Sequence, residues 1–260
     1  MTTLEEYAER LDRAAVAAQA IPQLALHESH DEATAYELQH RVVQHRINRG
    51  SSVTGMKLGF TNPTKAAQMG VFDVIAGSVT SDMHVPDNGV LSVDDLIHPR
   101  IEPEVAFLVA RDLDFTAQQD VPFIEAVSAV APALEIIDSR YENFKFSLQD
   151  VIADNTSASK YVLGSWLEFD STLTATTIAN LGVTLELDGA VSAVGSTAAI
   201  LGNPIRAYEA ICRLARKFDF ALPAGSIILA GAATIALPLT GVSTASVHIG
   251  RLGSATVHTS

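Results

Sequence analysis

The segment RIEPEVAFLV, residues 100–109, organises the interpretation of the whole chain. Apolar residues alternate through its second half, as expected for a strand. The same period places Glu102 and Glu104 side by side on one face, about 7 Å apart along the backbone. Pro103 cannot donate to a ladder, so this part of the strand is expected at an edge, a bulge or a strand start. The acid pair fits either a cation site or a solvated edge, and the segment alone leaves both open.

A third acid, Glu135, lies in the apolar segment APALEIID, residues 131–138. The segment has the character of a buried strand, where an isolated carboxylate is costly and needs a partner. Three carboxylates, with water completing the shell, suit a hard cation such as Mg²⁺ or Mn²⁺. The alternative is a structural salt bridge, for instance to Arg100 or Arg140. The three acids together favour the metal.

Composition excludes several classes of partner. The chain has 260 residues, 48% of them hydrophobic, enough for one domain or one domain with a small cap. Its 17 Lys and Arg residues are outnumbered by 30 Asp and Glu, giving a net charge of −13. Such a surface does not suit nucleic acid or an anionic membrane. An anionic substrate would have to be met by local cations or a metal.

The cysteine count and the apolar segments predict a cytoplasmic protein without a membrane span. The single cysteine, Cys212, excludes an intramolecular disulfide and fits a reducing compartment. Thr3 and Glu6 form a capping box where a signal peptide would carry basic and then apolar residues. Residues 221–247 carry no charge, but Pro and Gly interrupt them into runs shorter than the roughly 20 residues of a span.

Two regions are predicted. Residues 1–50 form an N-terminal helical arm, whose second helix is capped by Asp31. Residues 51–260 form the catalytic domain, which is rich in strands. The pattern predicts an α+β fold, a mixed β-roll or barrel with peripheral helices. The expected elements are helices near 121–130 and 205–218, and strands near 183–187, 225–230, 244–249 and 254–258.

Lys57 is the first candidate catalytic cation. It lies in the strand-like segment VTGMKLGF, residues 53–60, where glycines are expected to leave open space around it. A cation in such a groove could hold a substrate anion or transfer a proton. The alternative is an ordinary solvent-facing lysine. Asn62 and Pro63 then predict the start of a short helix.

A polar cluster lies between two apolar runs in VIADNTSASKYVLG, residues 151–164. Asp154 and Asn155 could do no more than form an Asx turn. The other interpretation is a functional loop, because polar side chains held between buried strands often line a site.

Five segments in series resemble the fumarylacetoacetate hydrolase superfamily, in its branch of 2-hydroxypentadienoate hydratases and 4-oxalocrotonate decarboxylases. The resemblance covers nearly the whole chain, and each segment is modest alone. The segments are GMKLGFT (55–61), RIEPEVAF (100–107), ALEIIDSR (133–140), VIADNTSASKYVLG (151–164) and LPAGSIILAGAAT (222–234).

The resemblance implies the β-roll of the superfamily's C-terminal domain and a Mg²⁺ or Mn²⁺ ion that chelates a 2-oxo acid. It implies the following roles: metal ligands Glu102, Glu104 and Glu135; catalytic residues Lys57, Asp154 and Asn155; substrate-binding residues Leu58, Ser157 and Lys160. Lys160 is expected to face the distal carboxylate of a dicarboxylate substrate.

Two details within the branch favour a decarboxylase. Ile75 stands where a hydratase would need an acid to activate water, and residues 230–234 resemble the decarboxylase form. Ala76 departs from the aromatic residue expected there, which affects the shape of the pocket. The expected reaction is metal-dependent decarboxylation of 2-oxo-3-hexenedioate (4-oxalocrotonate) in aromatic meta-cleavage catabolism. The alternative is 2-hydroxypenta-2,4-dienoate hydratase.

Two more distant functions stay open. Hydrolysis of an acylpyruvate would call for a water-activating histidine, for which only His27 and His30 lie in the right region, without a strong dyad. A non-catalytic scaffold would lack divalent-metal binding. For an active enzyme, the resemblance implies a homo-oligomer and a complex with the pathway hydratase as a partner.

Overall fold

Two β-sheets, of nine and five strands, form the centre of the computed structural model across its described residues, which are 3–28, 30–62, 73–116 and 121–260. The helices are α1 Leu4–Val16, α2 Glu32–Asn48, α3 Phe123–Ala126, α4 Leu148–Ala153 and α5 Ile205–Phe218. The strands are β1 Val53–Gly59, β2 Ile75–Thr80, β3 His84–Val85, β4 Gly89–Leu91, β5 Arg100–Val109, β6 Val127–Ile137, β7 Ala158–Leu163, β8 Leu167–Glu168, β9 Gly182–Leu187, β10 Ala190–Ser196, β11 Ile227–Ala232, β12 Leu237–Pro238, β13 Thr244–Ile249 and β14 Gly253–Thr259.

The larger sheet has the order β2-β1-β11-β5-β6-β7-β3, with β12 added to β5 and β8 to β6. The smaller sheet has the order β10-β9-β13-β14-β4. Both contain parallel and antiparallel pairs, such as β1 with β11 and β5 with β6. The mixed α+β architecture predicted from the sequence is confirmed.

The larger sheet curls around an interior lined by small side chains. Ala106, Ala131 and Ala133 are fully buried on the inner face and pack with Leu229 and Tyr161. The opposite face of β5 packs against helix α5 and the smaller sheet, in a core that includes Val105, Phe107, Ile211 and Val247. Alternation along β5 therefore separates a tight outer core from an inner surface of small residues, on which acids can be accommodated.

The helical arm packs directly on the β-domain. Helix α1 begins with the predicted Thr3–Glu6 capping box, and Asp31 caps α2 through the Thr34 N–H. From α2, the buried Gln39 amide donates to the carbonyls of Ala76 in β2 and Ile152 in α4. The arm is thus tied to the segments that flank β1 and β7, and its separation as a unit at residue 50 stays a prediction.

Some elements differ from the sequence-based expectation. The helix expected at 121–130 is limited to Phe123–Ala126, because the following apolar residues join β6 beside β5. Pro103 lies inside a central strand, opposite Leu134 of β6, in the gap between β5's pairings with β11 and β12, and its carbonyl accepts from the Ala233 N–H. Pro103 is therefore not at the start of the strand, and the nearest irregularity is the register shift between Leu229 and Ala232 of β11, opposite Val105. The short helix predicted from Pro63 falls in 63–72, outside the described residues.

In the part of the chain that the structure describes, no helix is both long enough and apolar enough to cross a membrane.

Candidate metal centre and active site

Three glutamates converge on the inner face of the large sheet. Strands β5 and β6 are antiparallel, with Glu102 directly opposite Glu135, and Glu104 follows two residues along the same face. One carboxylate oxygen from each of the three lies within 4.8 Å of the others. The register between two strands that are far apart in sequence therefore assembles the trio predicted from the alternation.

Two of these carboxylates are buried, and three of their four oxygens lack a hydrogen bond within the described residues. Glu104 is 0% and Glu135 is 1% exposed. Glu104 Oε2 accepts the Gly231 N–H at 2.8 Å, while Glu104 Oε1 and both oxygens of Glu135 have no hydrogen-bond partner among the described residues. Burial, and then the charges of Glu135 and Glu102, raise the pKa of Glu104 well above its usual range. Such oxygens suit a divalent cation, so the donor set fits Mg²⁺ or Mn²⁺.

Lys57 is a buried member of the same site. Its side chain extends from β1, where the residue is 2% exposed, and Nζ lies 3.0 Å from Glu135 Oε1, in ion-pair contact but outside hydrogen-bond geometry. Nζ donates to the Thr156 carbonyl at 3.0 Å. Burial raises the pKa of Glu135, and Lys57 opposes that rise. The solvent-facing alternative for Lys57 is therefore excluded.

The glycines beside Lys57 serve close packing; the open space expected around them is not there. A Cβ on Gly59 would come within 2.7 Å of Thr156 Cγ2, and one on Gly55 within 1.9 Å of the Ile227 carbonyl oxygen. The missing side chains let the neighbouring backbone and the Thr156 loop approach the lysine.

The polar loop after α4 holds the carbonyl that orients Lys57. Asn155, Thr156 and Ser157 all have left-handed backbone angles, with φ of 49°, 54° and 56°. The Asn155 side chain accepts the Ser78 N–H and donates to the Ser78 carbonyl, both at 2.8 Å. Thr156 Oγ1 donates to the Ala76 carbonyl at 2.8 Å. These bonds to β2 maintain an otherwise strained conformation.

Asp154 supports this loop and does not contact the glutamates. Its carboxylate pairs with the buried Arg140 guanidinium, which also donates to the carbonyls of Asp154 and Ala158. Burial raises the pKa of Asp154 to about 6, although Arg140 opposes the rise. Ser157 Oγ is buried and has no hydrogen-bond partner within the described chain. Neither Arg140 nor Arg100 forms the salt bridge considered for Glu135; Lys57 does.

A cavity of about 360 Å³ adjoins the glutamates. It includes Leu58, one of the predicted substrate-binding residues, and Glu102. Its described lining consists of Leu58, Gly59, Phe60, Thr61, Asn62, Arg100, Glu102, Ala232, Thr234, Ile235 and Ala236. The wall is mostly apolar and carries one acid and one arginine, which suits a short carbon chain with polar ends.

Lys160 is not brought to this cavity. It pairs with Ile136, whereas its neighbour Tyr161 pairs with Glu135, so the lysine side chain lies on the opposite face of the sheet. There it lines a separate cavity of about 430 Å³ under the helical arm. Its Nζ donates to the Asp82 carbonyl at 2.9 Å. Because successive residues of β7 point to opposite faces of the sheet, Lys160 is separated from the glutamates, and the motif alone does not show this.

Three contributors to the site were missed in the sequence. The Thr156 carbonyl and the Gly231 N–H are backbone groups, and residue type does not reveal them. Arg100 could have been found, since it is two residues before Glu102 in the same period. Of the two histidines considered, His30 packs edge-on against Tyr7, with ring centroids 6.1 Å apart, and the His27 side chain lies outside what the structure describes.

Converging buried carboxylates beside a buried lysine, on a curled mixed sheet, define a carboxylate-type divalent-metal site. No protein-family model matches the chain. It is 45% identical over 251 residues, 96% of each chain, to a 4-oxalocrotonate decarboxylase of a Pseudomonas species. Several 2-keto-4-pentenoate hydratases are 31 to 33% identical over 85% or more of this chain.

Solved structures agree. The fold matches that of 4-oxalocrotonate decarboxylase from Pseudomonas putida G7, complexed with magnesium and adipate, with a TM-score of 0.90, 31% identity and coverage of 100% and 99% of the two chains. A Yersinia pestis CO92 protein of the fumarylacetoacetate hydrolase family shares the fold alone, with a TM-score of 0.59, 14% identity and coverage of 79% and 92%. The chain belongs to the family of 4-oxalocrotonate decarboxylases and 2-keto-4-pentenoate hydratases, and its fold is that of the fumarylacetoacetate hydrolase superfamily.

Proposed function

We propose that the protein is a carbon–carbon lyase that decarboxylates 2-oxo-3-hexenedioate (4-oxalocrotonate) to 2-hydroxypenta-2,4-dienoate and CO₂. The observation that carries the proposal is 45% identity to a decarboxylase along almost the whole chain, together with the three converging glutamates. Glu102, Glu104 and Glu135 would hold Mg²⁺ or Mn²⁺. When bound, the ion supplies Lewis-acid polarisation of the substrate's keto group.

Residues of the chain would supply the proton and stabilise the negative charge that develops in the reaction. As the C5–C6 bond breaks, its electron pair moves through the C3–C4 double bond to the C2 oxygen, giving a dienolate that must gain one proton. Lys57 Nζ, which contacts Glu135 and the Thr156 carbonyl, would stabilise that oxygen's charge and donate the proton. Asn155 and Asp154 would act by holding the Thr156 loop, and Leu58 would contribute to the substrate pocket, whereas Ser157 is not among the residues that line the described cavity.

The hydratase alternative has less support. Ile75, in β2, pairs with Gly59 of β1 and therefore lies on the same face of the sheet as Lys57. Its side chain is buried, with 2% of its surface exposed. Addition of water would need an acid near this place, and a buried hydrocarbon cannot activate water. Loss of CO₂ has no such requirement.

The chemistry of the product favours association with a second enzyme. A dienol is labile, so transfer to the hydratase that consumes it would be an advantage, and we propose a complex with that enzyme in the cytoplasm. A homo-oligomer is proposed with it, as in the expectation from the family.

The test is product analysis with 2-oxo-3-hexenedioate, following CO₂ and the dienol, with Mg²⁺ and with EDTA. The expected result is CO₂ release that EDTA abolishes and that Glu102→Gln lacks while remaining folded. Full activity of that variant would contradict the metal assignment. Absence of CO₂, with hydration of supplied 2-hydroxypentadienoate, would instead establish the hydratase.

A further inference from the structure

Arg100 lines the cavity that adjoins Glu102. It begins β5 on the face that carries Glu102 and Glu104, about 7 Å from Glu102 along the backbone. Both Arg100 and Glu102 line the 360 Å³ cavity, and Arg100 is its one cationic side chain among the described lining residues. The cavity therefore carries one acidic and one basic side chain in its described lining.

The Arg100 guanidinium is held by an aromatic ring and not by an acid. Its Cζ lies 4.7 Å from the centroid of the Phe144 ring, which itself packs on His98 at 5.0 Å. No carboxylate of the described chain is in ion-pair contact with it. A guanidinium stacked on its face keeps its edge N–H donors available for a planar carboxylate.

Neither of the other candidate lysines is placed for this role. Lys57 Nζ is engaged by Glu135 and the Thr156 carbonyl. Lys160 lies on the opposite face of the sheet, in the cavity under the arm. In a chain with a net charge of −13, a substrate dianion would need a cation at its distal end.

We propose that Arg100 is a specificity-determining residue that binds the distal carboxylate of a six-carbon 2-oxo dicarboxylate, the very carboxylate that departs. The inference rests on the proposed function and deepens it. Five carbon–carbon bonds separate the two carboxyl carbons of such an acid, a length comparable to the spacing of Arg100 and Glu102. The apolar wall formed by Ala232, Ile235 and Ala236 contacts the chain between them.

The kinetic signature of this role is specific. The departing carboxylate loses its charge on the way to CO₂, so the guanidinium binds the ground state more strongly than the transition state. Removal of Arg100 should raise KM for the dicarboxylate without lowering kcat. A residue needed for the fold or for proton transfer would lower kcat.

The test compares the binding of 2-oxoadipate and 2-oxohexanoate, which differ only in the distal carboxylate. Both lack the C3–C4 double bond, so neither is decarboxylated by the proposed route. Their dissociation constants are measured by calorimetry with the protein and Mg²⁺, for the wild type and for the variants Arg100→Met, Arg100→Lys and Lys160→Met. Arg111→Met, beyond the other end of β5, is the control. Wild type and the control should prefer the dicarboxylate by about tenfold or more. Arg100→Met should lose that preference with 2-oxohexanoate binding unchanged, and Arg100→Lys should restore part of it.

Each outcome decides one question. Equal binding of the two acids by wild type, or a preference that persists in Arg100→Met, overturns the role of Arg100 while leaving the decarboxylase intact. A preference lost in Lys160→Met, with Arg100→Met unaffected, also overturns it and assigns the carboxylate to Lys160. If neither acid binds to the wild type in the presence of Mg²⁺, the result counts against the proposed function itself.

Discussion

Lys57 Nζ and Glu135 Oε1 lie 3.0 Å apart, both almost fully buried, inside a site where three carboxylates converge. The lysine compensates one negative charge of the three, and the other two remain for a divalent ion. Under the proposed function the ammonium would also stabilise the substrate's keto oxygen, so one residue would connect metal binding to proton transfer. The predictions below separate these roles.

Glu104→Gln should stabilise the metal-free protein and abolish its response to metal. Glu104 is buried with an unpartnered oxygen and faces two other acids, so an isosteric neutral amide removes a repulsion. The free energy of unfolding in EDTA should rise by about 1–3 kcal/mol. Urea denaturation with EDTA and with Mg²⁺ measures both effects. Destabilisation in EDTA, or a normal gain from Mg²⁺, would contradict this account.

Lys57→Met should lower kcat by about 10²–10³-fold, the cost typical of removing one group that stabilises developing charge. The affinity for Mg²⁺ should increase, because a cation next to Glu135 is removed. Steady-state kinetics and Mg²⁺ titration calorimetry test the two parts. Weakened Mg²⁺ binding would mean that the lysine supports the metal site instead of competing with it.

Asn155→Asp should lower kcat by about 10–100-fold with little change in KM. Aspartate keeps the size and tolerates the left-handed backbone, but it cannot donate to the Ser78 carbonyl and places a charge against it. The Thr156 carbonyl would shift, and Lys57 with it, and small misplacements of a catalytic group are costly. Asn180→Asp, at an exposed side-chain contact with Ser196, is the matched control. Equal losses in both variants would remove the positioning role.

Asp82 should make stability depend on pH below neutrality. Burial opposes its ionisation, but the Ser51 and Thr80 hydroxyls and Arg46 outweigh this and lower its pKa to about 2. A carboxyl whose pKa is depressed on folding stabilises above its unfolded pKa of about 4, and that contribution is lost as the pH falls towards 2. Because Asp82 is half exposed, we expect only about 1 kcal/mol.

Comparison with Asp82→Asn isolates this contribution. The difference in unfolding free energy between wild type and variant should be full at pH 7 and reduced by about half at pH 3, by urea denaturation. A difference that stays constant over this range would show that the Asp82 pairing with the arm residue Arg46 contributes no charge-dependent stability.

The sequence by itself determined the chemistry of the metal site. Alternation along a strand follows from backbone geometry, so Glu102 and Glu104 had to share a face, and a charge as isolated as Glu135 had to find a partner. The same local rules located β1, β5, β6, α2 and α5. They failed at residues 127–130, where pairing with β5 overrode helical character.

Only the tertiary structure decided which charges meet. Glu135 pairs with Lys57 and lies opposite Glu102, Asp154 pairs with Arg140, and Lys160 is turned to the far side of the sheet. These facts depend on register between strands distant in the chain, where a shift of one residue exchanges the two faces. Local sequence carries residue type and period. The pairing of distant segments is set by the packing of the whole core, which is why Arg100 and not Lys160 lies at the cavity beside the glutamates.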